Sequence, residues 1–567
     1  MKNLLRAILR PFVNHPKKSL FVILLVFAMI LGVPVLRNYL HPIRYLAYSQ
    51  DTMKVKVPYK VGSEADIDTI EIPRGSELKV EELGEKVSTV SYNNISFEIN
   101  NKFLKDTLEE CIQTDYVYPR RLLNLQTDKE GKLAKTTVKK SEKVKVTHID
   151  MDDFDQQTGQ IHWFEVEKNG KKYWLSGDYV ELSKAASKHD YSQDITHSTY
   201  WDETYGKGYS KDAYINQIDY KPQPKVRYEN NPMPEEVNAV HVSLENYLKD
   251  KDYFLDLKNH TAINAFVIVL KGDGGELFYD SDVLKHYLKK PEKALIASQM
   301  NKQELTKIID ELHDNGYYVI ARVVAFKDSI FAQQNVKDAI TEKGSNKLFV
   351  LNEEYWPSVY SRKAWMYNVD IAKEIADCHV NEIQFDYCRF PDGTAQVRKK
   401  INMKNTYDES KAAAIQGFLM YAKAELAPYE VYVAADIFAW PIVADDDQDI
   451  GQFFPAIAGV VDVISPMPYA DLFSDGAMGI EKPVEQPKET LYKFSSKVDS
   501  LMKNTGSNAQ YRTWIMAYMP YEAKEIKEEI KGITEAGYQG YLIWYGNGAS
   551  GDIKSVEKGF ISSSIKE

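Results

Sequence analysis

The chain has 567 residues, 44% of them hydrophobic and 27% charged, which allows two to four folded domains at roughly 150 residues each. A net charge of −11 and a pI of about 5.6 argue against a nucleic-acid-binding protein, which would show a basic face. The three cysteines, Cys111, Cys378 and Cys388, lie far apart and indicate neither a disulfide framework nor a CxxC metal site.

The first feature in chain order is an uncharged apolar run from Leu20 to Leu36. Its length lies at the short end of the roughly 17–25 residues that span a bilayer. Basic residues precede this run: Lys2, Arg6, Arg10, Lys17 and Lys18. The positive-inside rule predicts that residues 1–19 are cytoplasmic and that everything after the run is exported. No Ala-x-Ala-like cleavage site follows, which favours an uncleaved, single-pass signal anchor over a removed signal peptide. A Lys-rich, Cys-poor exported chain is typical of a bacterial protein.

Residues 46–182 are predicted to be rich in β-strands. Short alternating runs, such as those starting at Met53 and Val144, are separated by the turns Arg74-Gly and Asn169-Gly, a pattern that indicates small barrels. The segment 144–182, with GKKYWLSGDYV at 170–180, resembles bacterial Src-homology-3-like cell-wall modules. That resemblance implies contact with peptidoglycan, and a structural spacer is the alternative.

Residues 183–226 are polar, lack periodicity and contain the prolines of KPQPK, so a linker is predicted there. Apolar β-runs then alternate with helical stretches through the domain predicted at 227–567. The runs are Val237–Leu244, Ala265–Leu270, Tyr318–Val324, Glu382–Asp386, Val431–Asp436, Val461–Ser465, Thr513–Met516 and Gly540–Trp544. Eight such units predict an α/β fold of the (β/α)8 TIM-barrel type. A doubly wound open sheet is the alternative, but no G-x-G-x-x-G sequence supports it.

Two neighbouring predicted strands end in a carboxylate, Asp386 on the fourth and Asp436 on the fifth. Catalytic residues of TIM barrels lie at the C-terminal ends of the strands, and neighbouring ends lie roughly 5–10 Å apart. This range includes both carboxylate spacings used in glycoside hydrolysis. Two close carboxylates also separate in pKa, so that one keeps a proton while the other is charged. Capping of the following loops is the structural alternative for each residue.

Other strand ends and rim loops carry side chains that could contact a substrate. These are Lys271, Asp273, Arg322, Tyr387, Arg389, Trp440, Tyr469, Tyr518 and Trp544. The aromatic rings offer flat faces to sugars, as does Trp514, although part of this set could be simple packing. Arg389 is expected to keep Asp386 ionised or to bind an acidic substrate group, with a surface salt bridge as the alternative.

No metal or other cofactor is predicted. Cys388 has no histidine beside it in sequence and is interpreted as a packing residue rather than a nucleophile. The acidic run Asp445–Asp449 lacks the spacing of an EF-hand and is expected to be a solvated loop. Paired-histidine zinc motifs, a G-x-S-x-G elbow and a Walker motif are all missing from the sequence.

Several sequence segments together resemble the bacterial putative glycoside hydrolase family of barrel proteins. They include IARVVAFKD ending at Asp328, EIQFDYCRFPD beginning at Glu382, and ISPMPY ending at Tyr469. The resemblance extends over about residues 237–553 and implies a TIM barrel that hydrolyses O-glycosidic bonds in a polysaccharide. Family members typically have the sequence I-D-V-K-D-D-x-G on the second strand. This chain has Val269 in place of the first Asp and Gly272 in place of the second.

The sequence therefore predicts a membrane-anchored extracellular hydrolase of a cell-wall or exopolysaccharide glycan, with Asp386 as nucleophile or base and Asp436 as general acid. The reverse assignment of these two roles stays open. The Val269 and Gly272 departures leave open a non-catalytic glycan-binding or scaffold protein on a degenerate barrel. A deacetylase or lyase is a third alternative, but the Asp/His/His ligands of a metal-dependent deacetylase are not seen in the sequence.

Overall fold

A computed structural model describes residues 43–61, 64–129, 131–192, 195, 217–546 and 550–560, without the side chains of 58–61, 64–68, 296–299 and 550. The predicted cytoplasmic segment 1–19 and the predicted membrane span Leu20–Leu36 lie outside these residues. Among the residues described, no helix is long and apolar enough to cross a bilayer. The described residues form two compact units, one made of those up to Tyr118 with Lys143–Ser187, the other of those in Pro119–Glu142 and from Lys188 onward.

The first unit is rich in β-strands, as predicted. Among the described residues its strands are Ile43–Leu46, Thr52–Val61, Glu64–Pro73, Glu77–Glu82, Val87–Tyr92, Ile95–Asn100, Leu104–Lys105, Tyr116–Pro119, Val144–His148, Phe154–Asp155, Gln160–Ile161, Trp163–Lys168, Lys171–Ser176 and Val180–Glu181, and an α-helix lies at Leu108–Ile112. The hairpin 163–176 turns at Asn169 and Gly170, both with positive φ, which is the geometry that an Asn-Gly turn favours. Whether this region is a Src-homology-3-like wall module remains a prediction.

The second unit is built on parallel strands whose order in space follows the sequence. We number them β1 to β8: Asn238–Ser243, Ala265–Lys271, Tyr318–Val324, Glu382–Asp386, Tyr432–Phe438, Val463–Met467, the two pieces Gln510–Tyr511 and Thr513–Met516 of β7, and Tyr541–Trp544. The first piece of β7 pairs with β6, the second with β8, and β8 pairs with β1. The nearly closed ring fits a TIM barrel, and the doubly wound alternative is wrong.

Helices follow the strands and cover the barrel. They are Leu244–Lys249, Lys251–His260, Val283–Tyr287, Lys302–Asp314, Ser329–Gln334, Arg362–Ala376, Thr394–Val397, Lys411–Leu426, Ala439–Ala444, Phe454–Ala458, Pro487–Thr505, Ala523–Glu535 and Ser550–Val556. Short strands lie in the connections at Leu277–Tyr279, Leu295–Met300, Thr341–Glu342, Val350–Leu351, Glu354–Tyr355 and Ile401–Asn402. Several long helices begin at side-chain caps that are visible in the sequence, such as Ser361, whose hydroxyl accepts the N–H of Ala364 at 3.2 Å.

Two segments outside the predicted barrel domain belong to the second unit. Residues 119–142 contribute the hairpin Leu123–Gln126 and Leu133–Val138, and the buried Arg121 donates to the Glu409 carboxylate at 3.1 Å. The end of the predicted linker is also packed, because Ile218 and Tyr220 join a buried cluster with Phe453. Its prolines therefore mark an ordered connection over 217–226, while residues 193–194 and 196–216 lie outside the described part.

Inward-facing side chains of alternate strand positions fill the barrel. At the N-terminal end, Glu382 of β4 accepts two hydrogen bonds from Arg512, at 2.9 and 3.0 Å, and both side chains are fully buried. The Tyr318 hydroxyl donates to the same carboxylate at 3.1 Å. Apolar residues fill the layers above this ion pair, and the polar cluster described next lies at the opposite end.

Candidate active site

Asp386 is the last residue of β4 and forms an ion pair with the inward-facing Arg322 of β3. The Nε of Arg322 donates to Asp386 Oδ2 at 2.9 Å, and its Nη2 donates to the same oxygen. The other oxygen accepts the backbone N–H of Tyr387 at 2.6 Å. Tyr387 has a φ of +46°, a left-handed conformation that is costly for an aromatic residue. The Tyr387 N–H and the two donors of Arg322 together fix the direction of the carboxylate.

Asp436 of β5 occupies a different environment from Asp386. It is fully buried, and its Oδ1 accepts a hydrogen bond from the indole Nε1 of Trp514 at 2.7 Å. Its Oδ2 has no hydrogen-bond partner among the described residues. Burial, and next the negative charge of Asp386, raise the pKa of Asp436 well above its ordinary value, against the opposing effects of Trp514 and Arg322. The surroundings of Asp436 therefore favour the protonated form of its carboxyl group.

A third carboxylate, Asp273, lies beyond the end of β2 and shares Arg322 with Asp386. Arg322 Nη2 lies 3.2 Å from Asp273 Oδ1, and Lys327 Nζ lies 3.2 Å from Asp273 Oδ2. Partial burial opposes ionisation of Asp273, but the two cations outweigh it and lower the pKa of this group. The side chain of Asp273 is 44% exposed, compared with 12% for Asp386. Of the two carboxylates that bind Arg322, Asp273 is therefore the one nearer to solvent.

Aromatic residues surround the carboxylates on the remaining strands. Tyr469 follows β6. Burial raises the pKa of its phenol most, and the negative charges of Asp436 and Asp386 raise it further, so the phenol lies close to both carboxyl groups. The ring of Tyr518 lies 6.2 Å from that of Tyr469, and its hydroxyl donates to Asp471. Trp544 ends β8 with its ring 6.2 Å from that of Trp514. These rings offer flat apolar faces next to the charged groups.

Two of the residues predicted to contact a substrate are bound to other groups within the protein. Lys271 is a correction, because its ammonium is fully buried and bonds to Asp328 at 2.8 Å, the Val324 carbonyl at 2.7 Å and Asn368 at 3.0 Å. Arg389 is also buried, its guanidinium lying over the rings of Phe438 and Tyr387 at 4.5 and 4.9 Å.

Arg389 pairs with Asp392 at 3.1 Å, so its expected pairing with Asp386 is wrong, and its binding of an acidic substrate group stays a prediction. Trp440 is 38% exposed and packs edge-on against Phe473, with 5.7 Å between ring centroids, and its contact with a substrate stays a prediction.

The acidic run Asp445–Asp449 is not the solvated loop that was expected. Asp446, Asp447 and Asp449 are buried, and Asp449 forms an ion pair with the buried ammonium of Lys411. Within the described residues, no three His, Cys, Asp or Glu side chains stand at metal-binding spacing. Cys388 is buried near the carboxylates, and burial followed by the charge of Asp386 raises the pKa of its thiol well above 9. The thiol is thus protonated, in agreement with a packing role.

Three inward-facing polar residues were missed in the sequence. The ring nitrogens of His241, the amide of Gln384 and the hydroxyl of Ser465 are buried and have no hydrogen-bond partner among the described residues. Burial and the nearby Arg322 lower the pKa of His241 to about 3, so that its ring is neutral, and it packs 4.5 Å from the ring of Trp544. Orphaned polar groups of this kind are usually satisfied by bound water or ligand. The sequence did offer one signal for them. Alternate residues of a strand face the same side, and these three residues occupy the inward-facing alternate positions of β1, β4 and β6.

A parallel α/β barrel that carries carboxyl groups on two neighbouring strands, near their C-terminal ends, is typical of the glycoside-hydrolase-like class of proteins. The chain belongs to the family described as "Putative glycosyl hydrolase domain", whose model matches residues 239–549, more than half of the chain. No curated protein matches the sequence.

Several solved structures are similar to parts of this chain. A hypothetical protein from Ruminiclostridium thermocellum is 27% identical over 35% of this chain and 96% of its own, with a TM-score of 0.30. The glycoside hydrolase domain of PgaB (BpsB) from Bordetella bronchiseptica is 14% identical over 58% of this chain and 100% of its own, with a TM-score of 0.42. The catalytic domain of the β-amylase from Paenibacillus polymyxa is 11% identical over 59% of this chain and 100% of its own, with a TM-score of 0.38.

Proposed function

We propose that this protein hydrolyses O-glycosidic bonds in a cell-wall or extracellular polysaccharide. The observation that carries the proposal is the contrast between two carboxyl groups on adjacent strand ends. Asp386 is ion-paired to Arg322, and Asp436 is buried with a raised pKa beside the indole of Trp514. One group of such a pair gives a proton while the other acts as a charged base or nucleophile.

In this mechanism Asp436 gives its proton to the glycosidic oxygen as the C–O bond to the anomeric carbon breaks. The Asp386 carboxylate either takes a proton from the attacking water or bonds to the anomeric carbon until water replaces it. Arg322 and the N–H of Tyr387 hold Asp386 in one orientation during either route. The faces of Tyr469 and Trp544 pack against the sugar ring, and the neutral His241 supplies a hydrogen bond to a hydroxyl group.

The proposal also includes the setting of the enzyme. The apolar run Leu20–Leu36 anchors the chain in the cell membrane with the barrel outside, as the flanking basic residues indicate. The strand-rich first unit contacts peptidoglycan, which the resemblance of residues 144–182 to wall modules supports. Fractionation and a pull-down on purified peptidoglycan with a 144–182 deletion test these two parts separately from the chemistry.

The Asp386→Asn variant tests the hydrolysis itself. Wild type and variant are incubated with a panel of bacterial exopolysaccharides and peptidoglycan, and new reducing ends are followed. We expect release by the wild type and a loss of about 10²–10⁴-fold in the variant, because an amide cannot act as base or nucleophile. Equal release by both proteins would remove Asp386 from the mechanism, provided that their thermal unfolding curves agree.

A second candidate function is glycan binding without hydrolysis. It is supported by Val269, which lies opposite Arg322 in the pairing of β2 and β3, where the resembled family typically carries an Asp. Under this alternative Arg322 and the carboxylates bind a sugar and no bond breaks. Tight binding of a glycan from the panel, with no reducing ends released and no effect of Asp386→Asn, would favour it.

The Trp514→Phe substitution tests the protonation of Asp436. The indole N–H stabilises the charged carboxylate, so its removal raises the pKa of Asp436 further. A general acid works in its protonated form, and the loss of activity at high pH should therefore move to higher pH in this variant. The pH profile of kcat/KM measures this shift. The assignment of Asp436 as general acid would be contradicted if the profile moved to lower pH. It would also be contradicted if kcat/KM fell by the same factor at every pH.

A further inference from the structure

Away from the carboxylates, the loops that follow β2 and β3 enclose a cavity of about 780 Å³ with a strongly basic wall. This volume lies within the range of roughly 300–1,000 Å³ that is usual for ligand sites. The wall carries the lysines Lys289, Lys290, Lys293, Lys337 and Lys363, and one carboxylate, Asp338. We call this feature the lysine pocket. Such a concentration of positive charge is unexpected in a chain with a net charge of −11.

The positive charge of the lysine pocket is not neutralised from within. In the part of the chain that the structure describes, none of the five ammonium groups forms an ion pair with a carboxylate. Lys363 donates instead to the neutral amide oxygen of Asn335 at 2.6 Å. Asp338 accepts a hydrogen bond from Ser361 at 2.7 Å, which directs one of its oxygens to the start of a helix. The pocket therefore presents unpaired cations to whatever enters it.

The wall of the pocket is held in place by hydrogen bonds between its two loops. The Lys290 N–H donates to Gln334 Oε1 at 2.7 Å, and Gln334 Nε2 donates back to the Lys290 carbonyl at 3.3 Å. The buried Asn335 donates to the Tyr287 carbonyl at 3.2 Å. These bonds fix the backbone that carries the lysines, so the cavity is formed before a ligand arrives and binding orders little of the chain.

We propose that the lysine pocket binds an acidic group of a polysaccharide, such as a uronate carboxylate or a backbone phosphodiester. The pocket and the candidate active site share a loop, because the helix Ser329–Gln334 in the pocket wall begins just after Lys327, which holds Asp273. In this proposal one long glycan contacts both places. A bilayer presents a flat surface and fits a concave site poorly, so a projecting acidic substituent is the better occupant. This assignment rests on the proposed function and specifies its substrate as an anionic glycan.

Binding of the full chain, in neutral detergent micelles, to defined polymers tests the proposal. The probes are polygalacturonate oligomers, inorganic polyphosphate and uncharged dextran of similar length. The pocket variant is Lys289→Gln/Lys293→Gln/Lys337→Gln. Its matched control, Lys524→Gln/Lys527→Gln/Lys531→Gln, removes the same charge from exposed positions on the helix Ala523–Glu535. We expect binding to at least one acidic polymer but not to dextran, and about a tenfold loss of affinity in the pocket variant alone. The affinity should also fall as salt rises.

Equal affinity of the pocket and control variants for the acidic polymers would overturn the proposal. So would binding of the wild type only to vesicles of phosphatidylglycerol and phosphatidylcholine, with the pocket variant affected, since this result would assign the pocket to a membrane. The assay needs no hydrolysis, so its outcome is separate from that of the proposed function. Reducing-end release with no effect of the pocket variant on binding removes the pocket alone, whereas polymer binding without release from any glycan removes the hydrolysis.

Discussion

Substitution of Asp436 by Asn is expected to lower the turnover of a natural glycan by about 10²–10⁴-fold. The amide keeps an oxygen to accept the bond from Trp514 but has no acidic proton for the glycosidic oxygen. A dinitrophenyl glycoside of the same sugar has a strongly acidic leaving group. This leaving group departs as an anion and needs no proton from the enzyme. The loss should therefore be much smaller with the dinitrophenyl glycoside than with the natural glycan, when kcat/KM is measured for both.

The Asp386→Asn variant is the matched control for this test. A base or nucleophile is needed whatever the leaving group, so this variant should lose activity on both substrates. If the two variants show the opposite pattern, the roles of Asp386 and Asp436 are exchanged. If Asp436→Asn keeps full activity on the natural glycan, Asp436 is a buried structural residue and does not supply the proton.

The barrel could be predicted because its signals are long and redundant. The strands β3 and β4 were predicted with the boundaries observed, since buried parallel strands are continuous apolar runs that stop abruptly. Helix starts were visible from caps such as Asn301, whose side chain and that of Glu304 form a capping box. Asp386 was found in the same way, because it ends β4. Asp436 was predicted as the end of β5, but that strand continues to Phe438, and Asp436 lies beside Asp386 because Phe385 pairs with Ala435.

The direction of side chains at the strand ends was harder to predict. Residues 265, 267 and 269 of β2 face the interior, and simple alternation would place Lys271 there too. The pairing with β3 slips after Val269, so that Lys271 stands opposite Val323 and its side chain enters the barrel wall. The left-handed Tyr387 has a similar effect on Arg389, whose side chain is redirected among aromatic rings. No local sequence rule gives these two backbone irregularities.

Contacts between residues that are far apart in the chain could not be predicted from the sequence either. The acidic loop is buried because Lys411, far away in the chain, supplies an ammonium to Asp449. The sequence indicated only an aromatic face for Trp514, whereas its N–H bonds to Asp436, a residue 78 positions earlier. A motif search treats each residue by its type, but the protonation of Asp436 depends on which donors, charges and apolar groups the fold places around it.

The ion pair at the N-terminal end of the barrel predicts a large effect on stability. Arg512→Met leaves the fully buried Glu382 carboxylate with the Tyr318 hydroxyl and without its cation. We expect the free energy of unfolding to fall by about 3–5 kcal/mol at neutral pH, measured by urea unfolding. The double variant Glu382→Gln/Arg512→Met removes both charges and keeps an acceptor for Tyr318. It should recover most of the loss, because the cost arises from an unpaired buried charge rather than from the missing pair.

The pH dependence of the Arg512→Met variant gives an independent check. Burial already raises the pKa of Glu382 in the folded wild type, and Arg512 opposes that rise. Without Arg512 the folded pKa moves further above the unfolded value of about 4.3, so the folded state binds the proton more tightly than the unfolded state does. The single variant should therefore approach wild-type stability below about pH 4 and lose stability as the pH rises through the folded pKa. The double variant should lack this slope. A pH-independent loss shared by both variants would mean that packing of the long Arg512 side chain, and not its charge, stabilises this end of the barrel.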